Sequence, residues 1–80
     1  MRIVYIINHL GQTGVNNVVL DLVKQMVNHG HDCCVCYFVD HDSPMEFPCM
    51  TKKITMRRNS IPLSHFDVVH THGLKANLWV

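Results

Sequence analysis

Two apolar runs flanking one amphipathic segment constrain the fold of this chain more than any other feature. Residues 2–8 (Arg-Ile-Val-Tyr-Ile-Ile-Asn) and 33–39 are nearly continuous β-branched, aromatic and cysteine stretches. Runs without alternation fit strands buried on both faces. Between them, Val15, Val18, Val19, Leu22, Val23, Met26 and Val27 fill every position of a helical i, i+3, i+4, i+7 stripe. Asn16, Asn17, Asp21, Lys24, Gln25, Asn28 and His29 fall on the other face, with Leu20 the exception. The pattern predicts a helix at about 15–29. Thr13 or Gly14 can cap its start, Gly30 stops its end, and His29 sits where the dipole favours a cation. Two buried strands joined by a helix imply parallel pairing through a right-handed crossover.

The remainder extends this unit. Residues 40–50, with Pro44, Pro48 and three acidic groups, read as a loop. Residues 52–57 alternate weakly, as a strand near an edge would, and 59–64 form a turn-rich connector. Residues 66–71 (Phe-Asp-Val-Val-His-Thr) read as a fourth strand ending at His72-Gly73, and 74–80 as a truncated final helix. The expected fold is α/β: an open, parallel, Rossmann-like sheet of about four strands in the order 3-2-1-4, with one complete helix. Eighty residues allow one small domain, which buries only about 60% of its unfolded surface. Yet 48% of the residues are hydrophobic and 16% charged, an apolar balance for so small a unit. The reading that fits is a partial domain, residues 1–80, whose strands are built to be covered by helices lying mostly past Val80.

Several classes of function are excluded. A net charge of +1 offers no electrostatic footprint for nucleic acid. Neither apolar run approaches the roughly 18 residues of a membrane span, and the first is too short for a signal peptide. Four cysteines without framework spacing fit a reduced, cytoplasmic setting. Cys33 and Cys36 have C-x2-C spacing, but a strand puts them on opposite faces, so no metal site is expected from them. Cys34 and Cys36 share a face. Gly11-x-x-Gly14 lacks the dinucleotide spacing, no Walker Gly-Lys-Ser/Thr is present, and no serine stands on a strand-to-helix elbow.

Ligands of open α/β sheets bind beyond the carboxyl ends of the strands. In the order 3-2-1-4, residues 9–14 and 70–73 flank one crevice there. Gly11, Thr13 and Gly14 lead into a helix N-terminus whose free N–H groups suit a phosphate or carboxylate, although a tight strand-to-helix turn needs glycine in any case. His70 and His72 share a face if the strand persists through Thr71. His72, beside Gly73 at the mouth, can bond a hydroxyl or carbonyl or move a proton near neutral pH.

With these residues in place, the chain resembles the N-terminal portion of a GT-B-fold glycosyltransferase of the retaining family-4 group. Three segments carry the likeness: residues 3–14 with 18–23; His29-Gly-His-Asp, similar to an RGHEV turn; and residues 66–78, similar to a DVVHxHG segment. The resemblance implies that Gly11, Thr13, Gly14 and Asn16 belong to a loop near the donor phosphates or acceptor. It implies that His72 and Gly73 line the cleft. Asn16 stands where the family often carries a glutamate, so a carboxylate role is not available there. The implied reaction transfers a sugar from a nucleoside diphosphate sugar to a cell-envelope polysaccharide or lipid-linked acceptor. It needs no cofactor and works in the cytoplasm or at the inner face of the membrane. The nucleotide-sugar-binding domain would be a separate C-terminal domain or subunit, and this chain alone would be inactive. The alternatives are a non-catalytic binding subunit of a split glycosyltransferase and a small nucleotide-binding Rossmann-like protein.

Overall fold

A computed structural model describes residues 1–55 and 63–72 of the chain. The elements are β1 (Arg2–His9), α1 (Gly14–Asn28), β2 (Asp32–Val39), β3 (Met50–Lys53), a short 3-10 turn (Leu63–His65) and β4 (Val68–Thr71). All strands pair in parallel in the order β3-β2-β1-β4, as the sequence predicts. β1 is central: Ile3 pairs with Cys33 on one side and with Val68 on the other.

Period two divides β1 between two cores. Ile3, Tyr5 and Ile7 pack with Val35 beneath Val19 and Val23 of α1. Val4 and Ile6 face the other way and cluster with Cys36, Phe38 and Ile54. Residues alternating between two fully apolar faces leave no polar positions inside β1, which explains its unbroken hydrophobic run.

The helix ends where its sequence dictates. Thr13 is the N-cap in extended conformation, and its Oγ1 accepts from the N–H of Asn16 at 3.2 Å. At the other end, Gly30 takes φ +83°. The Gly30 N–H bonds Val27 O and the His31 N–H bonds Met26 O, each at 3.0 Å, closing a Schellman motif. His29 is the C-cap, and its Nδ1 approaches Gln25 O at 2.7 Å.

Three expectations change. The buried stripe of α1 is rotated: Val15 and Val18 are 53% and 56% exposed, while Asn16 is only 4% exposed. The side chain of Asn16 bonds carbonyls of the preceding loop, and that anchoring turns the first helical turn away from the pure hydrophobic stripe. The third strand occupies Met50–Lys53 rather than starting at Lys52. All four of its residues are exposed, so backbone pairing with Cys34–Tyr37 defines it and side-chain alternation does not. β4 begins at Val68, not Phe66, because Asp67 is tied to the start of β1. Its Oδ2 accepts from the Arg2 N–H at 2.8 Å, and its own N–H donates to Arg2 O at 2.7 Å. Of the connector expected at 59–64, residues 63–64 lie in the 3-10 turn and 59–62 lie outside the described residues. The predicted final helix at 74–80 and Gly73 lie outside the described residues.

Candidate functional site

The parallel sheet brings the end of β1, the end of β2 and the end of β4 to one side. The loop after β1 is held from within. Asn16 Nδ2 donates to His9 O at 2.8 Å and to Gly11 O at 2.6 Å. The Gly11 N–H donates to His9 Nδ1 at 2.9 Å. One amide side chain thus bonds two carbonyls, one at the last residue of β1 and one in the turn after it, which is why a polar residue occupies a buried helix position.

Gly11 serves a purpose that sequence reasoning missed. A Cβ there would lie 2.6–2.8 Å from atoms of the His41 and His9 rings. These imidazoles stack at 5.5 Å between centroids, and His41 comes from the loop after β2. The close approach that glycine permits is therefore imidazole against backbone. No sequence signal points to His41, thirty residues away in a polar loop. Gly14 differs: nothing lies within 4 Å of a Cβ placed there. It opens the helix, and the N–H groups of Gly14 and Val15 have no partner among the described residues. The N–H groups that the loop does not use itself are those of residues 14–15, whereas Gly11 is engaged within the loop.

At the end of β4, His70 and His72 do share a face. Their rings lie 6.4 Å apart with planes 12° from parallel, and His70 in turn stacks on Tyr5 at 5.2 Å. The His72 N–H continues the ladder to Ile6 O at 2.9 Å. Its Nε2 is buried without a hydrogen-bond partner among the described residues, as is Asn8 Oδ1 at the end of β1. Burial, then the neighbouring His70, holds His72 below the usual imidazole pKa. His72 is thus a neutral ring able to accept or donate at one nitrogen near pH 7.

A hollow of about 480 Å³ opens beside these loops, lined by Leu10, Tyr37, Met45, Glu46, Phe47 and Thr51 among others. Leu10 O accepts from the Met45 N–H at 2.7 Å, which fixes the β2–β3 loop over the end of β1. The wall combines two aromatic rings with a carboxylate and a hydroxyl, chemistry suited to a polyhydroxylated ligand. Among the described residues, no helix is long and apolar enough to cross a membrane.

No family model and no solved structure matches the chain. Two curated Escherichia coli proteins, both named O-antigen biosynthesis glycosyltransferase WclY, are 27% identical to it over 84 residues. Each alignment takes in 100% of this chain and 23% of the relative, so the chain spans about a quarter of their length. The similarity supports a glycosyltransferase relationship and agrees with the α/β sheet.

Proposed function

We propose that residues 1–80 are the amino-terminal, acceptor-side part of a GT-B-fold, family-4-type retaining glycosyltransferase. The complete enzyme moves a sugar from a nucleoside diphosphate sugar to a cell-envelope polysaccharide or lipid-linked acceptor. The observation that carries this reading is similarity along the whole chain to an O-antigen glycosyltransferase. The convergence of the β1–α1 loop and His72 at one end of the sheet supports it.

Sugar transfer from such a donor leaves a diphosphate, whose growing charge must be stabilised. The free N–H groups at Gly14 and Val15, at the positive end of α1, suit that task. The internal bonding of residues 9–16 holds those donors in place without reorganisation. His72, neutral at working pH, offers Nε2 to a sugar hydroxyl. The remaining nucleotide-sugar contacts belong to a second domain or subunit, and this chain alone is inactive.

A chimera tests the reading: this chain replaces the matching segment of the O-antigen glycosyltransferase, and sugar transfer to its acceptor is followed. Transfer by the chimera, with none by the isolated chain, is the expected result. A folded chimera that binds donor but transfers nothing would sink the proposal, as would donor turnover by the isolated 80 residues.

A further inference from the structure

The hollow of about 480 Å³ lies over β2 and β3 on the α1 side of the sheet, since Tyr37, Phe47 and Cys49 of its wall also pack in the core beneath α1. His72 follows β4, on the far side of β1. At about 4.8 Å per strand, two to three strand spacings separate the two places by roughly 10–14 Å, further than one sugar ring extends. The Met45 N–H donates to Leu10 O at 2.7 Å, so the loop over the hollow is fixed before anything binds. Tyr37 and Phe47 are half-buried, with part of each ring in the core and part bordering the hollow. Among the described residues, no hydrogen bond engages the Tyr37 hydroxyl, the Glu46 carboxylate or the Thr51 hydroxyl. No lysine, arginine or histidine among the described residues lines the hollow. Lys53, the register partner of Tyr37, is held by Asp40 at 2.6 Å.

We propose that this hollow is a subsite for a neutral sugar ring; resting on the transferase reading above, that ring is a non-reacting unit of an oligosaccharide acceptor. A pyranose offers one face of C–H groups and a rim of hydroxyls. The C–H face suits the negative face of an aromatic ring, which Tyr37 and Phe47 supply. The rim suits Glu46, whose carboxylate accepts two hydroxyl protons in charge-assisted bonds, and the hydroxyls of Tyr37 and Thr51, which donate or accept. The sign of the charge selects further. With Lys53 neutralised by Asp40, Glu46 leaves the hollow negative, and an acidic sugar meets a like charge without a cation to offset it. The separation from His72 makes the reader of this ring distinct from the group that meets the reacting hydroxyl. An acceptor that spans both must carry more than one sugar.

The test is titration of the isotope-labelled 80-residue chain, followed by amide NMR, with maltotriose, triacetylchitotriose and the acidic trigalacturonate. Saturable shifts at Tyr37, residues 45–47 and Thr51 are expected with at least one neutral trisaccharide, and none with trigalacturonate. Glu46→Gln, at an exposed position, should weaken neutral binding about 10-fold and reduce the discrimination against trigalacturonate. Tyr37→Phe keeps the ring in the core and should weaken binding about 5-fold. Lys24→Ala, on the exposed face of α1, should change nothing. In the chimera described above, Glu46→Gln should raise KM for an oligosaccharide acceptor about 10-fold and leave kcat and the donor KM unaltered. Shifts from neither neutral sugar, equal binding of trigalacturonate, or undiminished affinity in folded Glu46→Gln would overturn the proposal. Neutral sugar binding at these residues beside an inactive chimera would support the subsite and sink the transferase reading alone. An active chimera whose acceptor KM ignores Glu46→Gln would do the reverse.

Discussion

The loop after β1 and the end of β4 lie at the same end of one sheet and are built in opposite ways. In the first, Asn16, Thr13 and the His9 ring satisfy the turn, and the His41 ring fills the face of Gly11. In the second, His72 keeps a buried ring nitrogen without a partner among the described residues. The difference separates a turn bonded within residues 9–16, which leaves the Gly14 and Val15 N–H groups free at the helix start, from a ring nitrogen left open within the sheet. A loop that consumes its own polar groups holds its geometry, whereas an unsatisfied buried nitrogen is a place where a ligand gains most.

The largest effect that sharpens this contrast is expected from Asn16→Ala. Removing the amide strands His9 O and Gly11 O and should cost about 2–3 kcal/mol, read from urea denaturation. A loss under about 0.5 kcal/mol would show that solvent replaces the amide and that the loop is not internally held. Thr13→Ala removes the helix cap and should cost about 1 kcal/mol by the same measurement. The two glycines provide the next comparison. Gly11→Ala must displace His41 and disturb the Gly11 N–H bond to His9, costing about 1 kcal/mol and breaking the imidazole stack. Gly14→Ala meets open space in the first helical turn and should stabilise by up to about 1 kcal/mol. Equal effects at both positions would erase the distinction between a packed glycine and an open one.

The smallest effect concerns His72, at the other pole. The unfolded chain takes up its imidazole proton near a pKa of about 6.5, while the folded chain does so at lower pH. Stability contributed by the neutral ring is therefore intact above that value and is lost as pH falls through the folded pKa. His72→Gln should leave stability at pH 7.5 nearly unchanged and flatten its decline toward pH 5.5, measured as urea midpoints. An unchanged slope would mean that His72 titrates alike in both states.

Legibility in the sequence follows the range of the interactions. The Thr13 cap and the Gly30 stop act within a few residues, and both are visible in the chain. β1 and β2 were equally plain, since a strand covered on both faces shows as an unbroken apolar run. β3 was blurred because its four residues are exposed, and its pairing rests on backbone groups common to every residue. β4 was shortened by Asp67 bonding to Arg2, a contact spanning 65 positions. In the candidate site, residues 11–16 and His72 stood out by type and place, whereas His41 did not.

The sequence by itself determined the order of elements, the parallel α/β sheet and the ends of the helix, because these depend on local periodicity and capping. Only the tertiary structure decided which way α1 turns its face, what fills the space at Gly11, and which nitrogen is left without a partner. Each of these depends on the rotation of a side chain or helix against a partner distant in the chain. A pattern of residue types records which face is apolar and carries no information about what meets it.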